Sequence, residues 1–212
     1  MRILYIDTSS SYLYAGIVED NKLLGEVKKD YGSDLSKEAL PRIADIFKTC
    51  NLQPKDIDKI IVVNGPGSFT GIRIGVTIAK VYAWSLKLPI TIISALEAMS
   101  LSSEKEVVHV PVINARRGYV YGAIYDKDNS IIMEPKHILI DDLKKELEKL
   151  TSYEIITNDE FAEFNETSKY DPNILKIVTT FKDKVAINPH AVNPEYLKLT
   201  EAEESKNDRR SE

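Results

Sequence analysis

Apolar positions in the first hundred residues follow two patterns, one typical of helices and one typical of strands. Apolar residues at spacings of three and four predict one helix over 35–47 and a second over 69–86, closed by Lys87 and Pro89. Pro41 falls inside the first pattern, so that helix either begins near Leu40 or tolerates a proline in its opening turns. Ser94 is placed to cap a short third helix. Short apolar runs between polar turns predict strands over 3–7, 12–18, 23–27, 59–64 and 90–93.

The second half of the chain repeats this order. An apolar run over 107–113 ends at Asn114, as the first strand ends at Asp7. Asp141 or Asp142 is expected to cap an amphipathic helix after the next strands. Further strands are predicted over 119–125, 131–138 and 154–157.

A meander of three strands, a helix, a strand and a helix therefore occurs twice. This order predicts an α/β protein with the actin-like, ribonuclease H-like duplicated fold, in which two lobes meet at a cleft. We expect an N-terminal lobe over 1–103, a C-terminal lobe over 104–199 and a charged, flexible tail over 200–212.

Composition and charge exclude several functional classes of protein. The 212 residues include 28 basic and 33 acidic side chains, a net charge of −5, which argues against a free-standing nucleic-acid binder. With one cysteine, an intrachain disulfide and a thiolate metal cluster are both excluded. Asp7 precedes any apolar region of a signal peptide, and four interruptions in 72–93 argue against a membrane span. We expect a cytoplasmic protein without membrane contact.

A glycine-rich loop between a strand and a helix is the clearest candidate for chemistry, because backbone N–H groups at a helix start suit a phosphate. Its spacing nevertheless fits neither the P-loop nor the dinucleotide fingerprint. Asp7 with its hydroxyl neighbours resembles the first phosphate loop of actin-like ATPases, although a serine-rich hairpin turn is a strong alternative explanation. The matching position in the other half is Asn114, a poor ligand for a hard cation. We treat these residues as a vestigial phosphate site: Asp7, Thr8, Ser9, Gly65, Gly67 and Ser68.

Other reactive arrangements are not visible in the sequence. The three histidines are far apart, and no Gly-x-Ser-x-Gly elbow is present. Ser68 is better explained as a helix cap. We therefore expect no catalytic residue, no metal site and no cofactor.

The helix over 69–86 is apolar almost all round, which predicts burial on more than one side. Its small residues Gly71, Gly75, Ala79 and Ala83 form a stripe that another backbone could approach closely. The helix could be covered by the chain's own second half, or it could form a subunit interface. We favour the subunit interface, because a small two-lobed chain has a small hydrophobic core with which to cover such a helix. The expected contact residues are Leu40, Ile43, Phe47, Gly71, Ile72, Gly75, Val76, Ala79, Tyr82 and Ala83.

Three segments resemble the signatures of the TsaB (YeaZ) family, in the expected order. They are Asn64–Gly75 together with Ile6–Ser9, then Ala115–Tyr121, then Pro194–Lys198. Three departures occur: Leu35-Ser36-Lys37 replaces a common His-Ser-Glu run, Asn114 replaces an aspartate, and Lys198 replaces an arginine.

The resemblance implies a role in bacterial tRNA modification, in which a threonylcarbamoyl group is placed on the adenosine beside the anticodon. The family member is a non-catalytic partner of the TsaD transferase, with TsaE as the accessory ATPase. It also forms a homodimer through the surface that TsaD uses, and it meets tRNA only as part of the complex. The alternative is a free-standing actin-fold ATPase or phosphotransferase. The old glycoprotease label of the wider family finds no support in the residues.

Overall fold

The computed structural model describes residues 1–198, which form two mixed sheets and five α-helices. The strands of the first sheet are β1 (Arg2–Asp7), β2 (Tyr12–Glu19), β3 (Lys22–Asp30), β4 (Lys59–Val63) and β5 (Ile90–Ile93). Those of the second are β6 (Val108–Arg116), β7 (Tyr119–Tyr125), β8 (Ile131–Leu139), β9 (Tyr153–Thr157) and β10 (Ser168–Lys169). The helices are α1 (Leu35–Thr49), α2 (Phe69–Leu86), α3 (Ala95–Ser100), α4 (Ile140–Leu147) and α5 (Ile174–Phe181).

Both sheets have the same topology. The first is ordered β3-β2-β1-β4-β5 and the second β10-β9-β6-β7-β8. In each, three strands form an antiparallel meander, and the first of them also pairs in parallel with a later strand. β1 therefore has neighbours on both edges and is buried along five of its six residues. The duplicated α/β fold predicted from the sequence is confirmed.

Local sequence signals set the starts of α2 and α3. The Ser68 hydroxyl accepts a hydrogen bond from the Gly71 N–H at 3.2 Å and caps α2. Ser94 caps α3, and the Glu97 carboxylate accepts the Ser94 N–H at 3.0 Å. Both predicted caps are confirmed. Because α1 begins at Leu35, Pro41 lies inside the helix, the second of the two alternatives left open by the sequence.

Two features of the second half differ from prediction. α4 begins at Ile140, and Leu139 occupies its N-cap, so the expected cap at Asp141 or Asp142 is wrong. The two carboxylates lie in the first turn, where negative charge interacts favourably with the helix dipole. β10, a strand of two residues, was not predicted, and the repeated order implied a final helix in the second half without locating it at α5.

The helices divide into three layers, which decide what covers α2. α1 and α2 pack on the outer face of the first sheet, and α4 covers the second sheet. The helices between the two sheets are α3 and α5. α2 therefore does not lie between the two sheets, a place that α3 and α5 occupy. Within the described residues, the second half covers α2 only through its C-terminal segment, where the Lys80 ammonium group donates to the Val192 carbonyl at 2.8 Å.

Lys59 joins the start of β4 to the chain after α5. Its side chain is buried, and the ammonium group donates to the carbonyl oxygens of Lys182 at 2.7 Å and Lys184 at 2.8 Å. The charge thus satisfies carbonyls at the C-terminal end of α5, where the helix dipole favours a cation. The division at residues 103 and 104 stays a prediction, and the predicted tail over 200–212 lies outside the described residues.

Candidate functional site

The turn after β1 and the glycine loop before α2 lie against each other. The Ser68 N–H donates to the Ser9 carbonyl at 2.7 Å. The Thr8 hydroxyl donates to the Gly71 carbonyl at 2.7 Å and accepts from the Gly75 N–H at 2.9 Å. The structure therefore brings together the two segments that the sequence marked as phosphate-loop candidates.

Their close contact explains two of the glycines. A Cβ at Gly67 would overlap the Ser9 carbonyl oxygen, and Gly67 also has φ +154°. A Cβ at Gly71 would overlap the Thr8 carbonyl oxygen, although the backbone there is ordinary helix. Both positions need glycine because the turn after β1 approaches within backbone contact.

These contacts limit what the loop can bind. A phosphate site needs several free N–H groups at the helix start. Here the Ser68, Gly71 and Gly75 N–H groups have partners within the chain, at Ser9, Ser68 and Thr8. Among the described residues, the N–H groups of Phe69 and Thr70 at the start of α2 have no partner within the chain. A further feature of a phosphate site is the carboxylate of Asp7.

Asp7 is buried at the end of β1, between the two sheets. One carboxylate oxygen accepts the Ser9 N–H at 2.8 Å, and the other lies 3.5 Å from the hydroxyls of Tyr5 and Tyr170. Burial raises the pKa of Asp7, and these hydrogen bonds lower it by a smaller amount, so the pKa is raised overall. Burial also raises the pKa of both tyrosines, so they remain donors. Tyr170 follows β10 and was not singled out from the sequence.

We predict that Asp7→Asn makes the folded chain more stable at pH 7. A carboxyl whose pKa is raised by folding favours the protonated form, so its ionised form at neutral pH opposes folding. The amide oxygen can still accept the Ser9 N–H. The advantage of the variant should shrink as the pH falls through the raised pKa and vanish below the ordinary value of 3.8. Urea unfolding of both chains between pH 7 and pH 3.5 measures this; lower stability of the variant at pH 7 would contradict it.

A cleft of about 690 Å³ lies between the lobes, next to this cluster. Asn114 is at its edge and not against Asp7: its N–H donates to Asp159 at 2.7 Å. Within residues 1–198 no three His, Cys, Asp or Glu side chains are grouped closely enough to hold a metal ion. Residues lining the cleft include Ser10, Tyr12 and Phe69 on one side and Asn114, Arg116 and Asp159 on the other.

A larger hollow of about 1,110 Å³ lies beside β9 and β10, at one end of the second sheet. The buried carboxylate among its lining residues, Glu154, is engaged by Lys105 at 2.7 Å and by the hydroxyls of Ser103 and Ser168. We therefore regard this hollow as a structural surface.

Two of the three signature segments pack against each other. The Glu195 N–H donates to the Asn64 carbonyl at 2.7 Å. The Arg73 guanidinium lies 3.7 Å from the centre of the Phe69 ring and donates to the Tyr196 hydroxyl at 2.8 Å. The C-terminal signature thus buttresses the glycine loop.

The outer face of α2 is apolar and exposed. Val81 is 59% exposed and Trp84 65%, and Leu40 on α1 is 50% exposed. Ile74 and Ile78, half-buried, line a groove with Leu40 between the two helices. We call Leu40, Ile74, Ile78, Val81 and Trp84 the outer apolar face.

The predicted contact residues need correction. Leu40 is exposed and Tyr82 half-buried, but the others have almost no accessible surface to bury against a partner. The small-residue stripe of α2 faces Thr8 and the first sheet, so the close approach that it permits is intramolecular. The buried residues are Ile43, Phe47, Gly71, Ile72, Gly75, Val76, Ala79 and Ala83. Val81 and Trp84 were not predicted as contact residues, because periodicity does not say which side of an all-apolar helix meets the sheet.

In the part of the chain that the structure describes, no helix combines the length and the apolar character needed to cross a membrane.

The repeated strand order and the cleft between the sheets define a two-lobed protein of the actin-like, ribonuclease H-like class. YeaZ from Pseudomonas aeruginosa superposes with a TM-score of 0.73 over 92% of this chain and 99% of its own, at 16% identity, so it supports the fold alone. A family model described as TsaD, tRNA N6-adenosine threonylcarbamoyltransferase, matches residues 26–203.

Relatives found by sequence identity indicate the family more specifically than the structural match does. The tRNA threonylcarbamoyladenosine biosynthesis protein TsaB of Bacillus subtilis (strain 168) is 30% identical over 223 aligned residues, which span 96% of each chain. TsaB of Escherichia coli (strain K12) is 33% identical over 136 residues, covering 61% of this chain and 57% of its own. The chain belongs to the TsaB (YeaZ) family.

Proposed function

We propose that the chain is a non-catalytic cytoplasmic subunit in the formation of threonylcarbamoyladenosine in tRNA, where it binds the TsaD transferase and holds it in its working state. Relatives named as tRNA threonylcarbamoyladenosine biosynthesis proteins support the pathway. The observation that carries the partner role is the outer apolar face, since large apolar side chains at the surface mark protein contacts when they are contiguous.

This face suits a helix-to-helix contact. A standard interface buries roughly 1,600 Å² in total, with most of the binding energy in a few aromatic and aliphatic anchors. Trp84 is the largest exposed side chain of α2, and Leu40 extends the apolar surface onto α1. A second copy of the chain could use the same face, so we propose that a homodimer and the TsaD complex exclude each other, and that TsaE joins through the complex.

The non-catalytic role is supported by the glycine loop. The N–H groups of Ser68, Gly71 and Gly75 and the Thr8 hydroxyl are bonded within the chain, which leaves fewer donors for a nucleotide phosphate. A free-standing ATPase or phosphotransferase that used these donors would have to break these bonds before it could bind its substrate.

Reconstitution tests the proposal. Purified TsaD, TsaE, threonylcarbamoyl donor and an unmodified tRNA transcript are combined with and without this chain, and modified adenosine is measured by mass spectrometry. We expect modification only when the chain is present. Calorimetry of the chain alone with Mg-ATP should give no binding. Equal modification without the chain, or ATP turnover by the chain alone, would refute the proposed role.

A further inference from the structure

Two adjacent arginines at the tip of the β6–β7 hairpin have no partner among the described residues. Neither Arg116 nor Arg117 makes a side-chain hydrogen bond, an ion pair or a ring contact within residues 1–198, and both are exposed. The other three described arginines are engaged: Arg2 with Glu19, Arg42 with Glu38 and Asp45, and Arg73 with Phe69 and Tyr196.

The backbone at this tip is unusual for arginine. Arg117 and Gly118 form the two-residue turn with φ +54° and +78°, and Arg116 beside it has φ +65° at an irregularity in β6. Positive φ at both turn positions favours Asn, Asp or Gly at the first one. A non-glycine residue held in this region costs on the order of 1 kcal/mol, so two arginines here oppose folding.

The turn is nevertheless held firmly from both sides. The Asn114 side chain accepts the Arg116 N–H at 2.8 Å, and the Asn114 N–H donates to Asp159 at 2.7 Å. On the other side, the Gly118 carbonyl accepts the Ile140 N–H at 2.9 Å. The two guanidinium groups are thus presented on a braced loop at the mouth of the cleft, which Arg116 lines.

We propose that this tip contacts the phosphodiester backbone of an RNA strand, the tRNA of the proposed function, on which this inference rests. Guanidinium groups match phosphate geometry, and exposed, unpaired arginines suit an extended polyanion. A small anion inside the cleft is disfavoured because Asp30 and Asp159 line it. At the base of the hairpin, Tyr119 pairs with Arg116 across the strands and stacks on His137 with 4.4 Å between ring centres, an aromatic surface of the kind on which single-stranded bases stack.

The test measures binding of a fluorescent tRNA transcript to the complex of this chain with TsaD, by anisotropy over a range of salt concentrations. The variant R116G/R117N puts glycine and asparagine at two positions whose positive φ favours them, so we expect a melting temperature raised by about 2–4 °C. Because it also removes both guanidinium groups, tRNA binding should be roughly tenfold weaker. The slope of log affinity against log salt should flatten by about one for each lost contact. The matched control K127A/K149A removes two charges that are paired with Glu106 and Glu146, and it should leave both quantities unchanged.

Several outcomes would overturn the inference. The first is that R116G/R117N leaves the tRNA affinity and the salt slope unchanged, and the second is that K127A/K149A weakens tRNA binding equally. The third is that R116G/R117N loses binding to TsaD or TsaE. The fourth is that R116G/R117N loses binding of ATP or pyrophosphate and keeps its tRNA affinity. Binding of the unmodified chain to TsaD is measured first. If it is absent, the proposed function fails; if it is present and the arginine variant binds tRNA normally, only the inference fails.

Discussion

Replacing Val81 and Trp84 together by arginine is expected to abolish co-purification of the chain with TsaD and to leave the chain folded. Both side chains lie mostly in solvent, so their replacement costs the monomer little, within about 0.5 kcal/mol. In an apolar interface each would bury an unpaired charge, and central anchors cost at least about 2 kcal/mol each when lost. Binding should therefore weaken at least a hundredfold, roughly. Pull-down, calorimetry and modified adenosine in the reconstituted reaction measure this.

The control is Val185→Arg, because Val185 is 82% exposed and lies outside α1 and α2. It should bind TsaD normally. The same double variant should be monomeric at concentrations where the unmodified chain dimerises. Normal TsaD binding by a folded V81R/W84R chain would remove the outer apolar face from the interface. Arginine at Ala79 or Ala83 is not a usable test, because both residues are fully buried and the chain itself would be disrupted.

Gly71→Ala is expected to destabilise the chain by about 3 kcal/mol, the reverse of what helix propensity predicts. In an exposed helix this change stabilises by up to about 1 kcal/mol. Here the added Cβ meets the Thr8 carbonyl oxygen, a backbone atom held at the end of the central strand β1. For a chain of this size the melting temperature should fall by roughly 6–12 °C, which calorimetry measures.

Two other glycines serve as controls. At Gly75 the added Cβ meets the Thr8 hydroxyl, so Gly75→Ala should cost less than Gly71→Ala, and least when Thr8 is also alanine. Gly32 has φ +53° and no heavy atom within 4 Å of an added Cβ. Gly32→Ala should therefore lose only about 1 kcal/mol, for the left-handed backbone. A Gly71→Ala chain as stable as the unmodified one would show that the turn after β1 can move away from α2.

Local sequence determined the elements whose signals are local. Apolar period and polar turns placed β5, β7 and α2 within their observed bounds, and Ser68 and Ser94 cap their helices as predicted. The repeated order of elements predicted the duplicated fold. These results depend on neighbouring residues along the chain, so no knowledge of distant contacts was needed.

The tertiary structure alone decided which face of each element is used. The small-residue stripe of α2 allows another backbone to approach closely, as the sequence predicted. The backbone that does so is Thr8–Ser10 of the same chain. α5 was not located from the sequence, yet it lies between the sheets, a position for which α2 was a candidate. The phosphate-like loops could be located in the sequence, whereas their mutual hydrogen bonds depend on residues more than sixty positions apart. Burial is a property of the whole packed chain, and for that reason the sequence could name the apolar helix but not its free side.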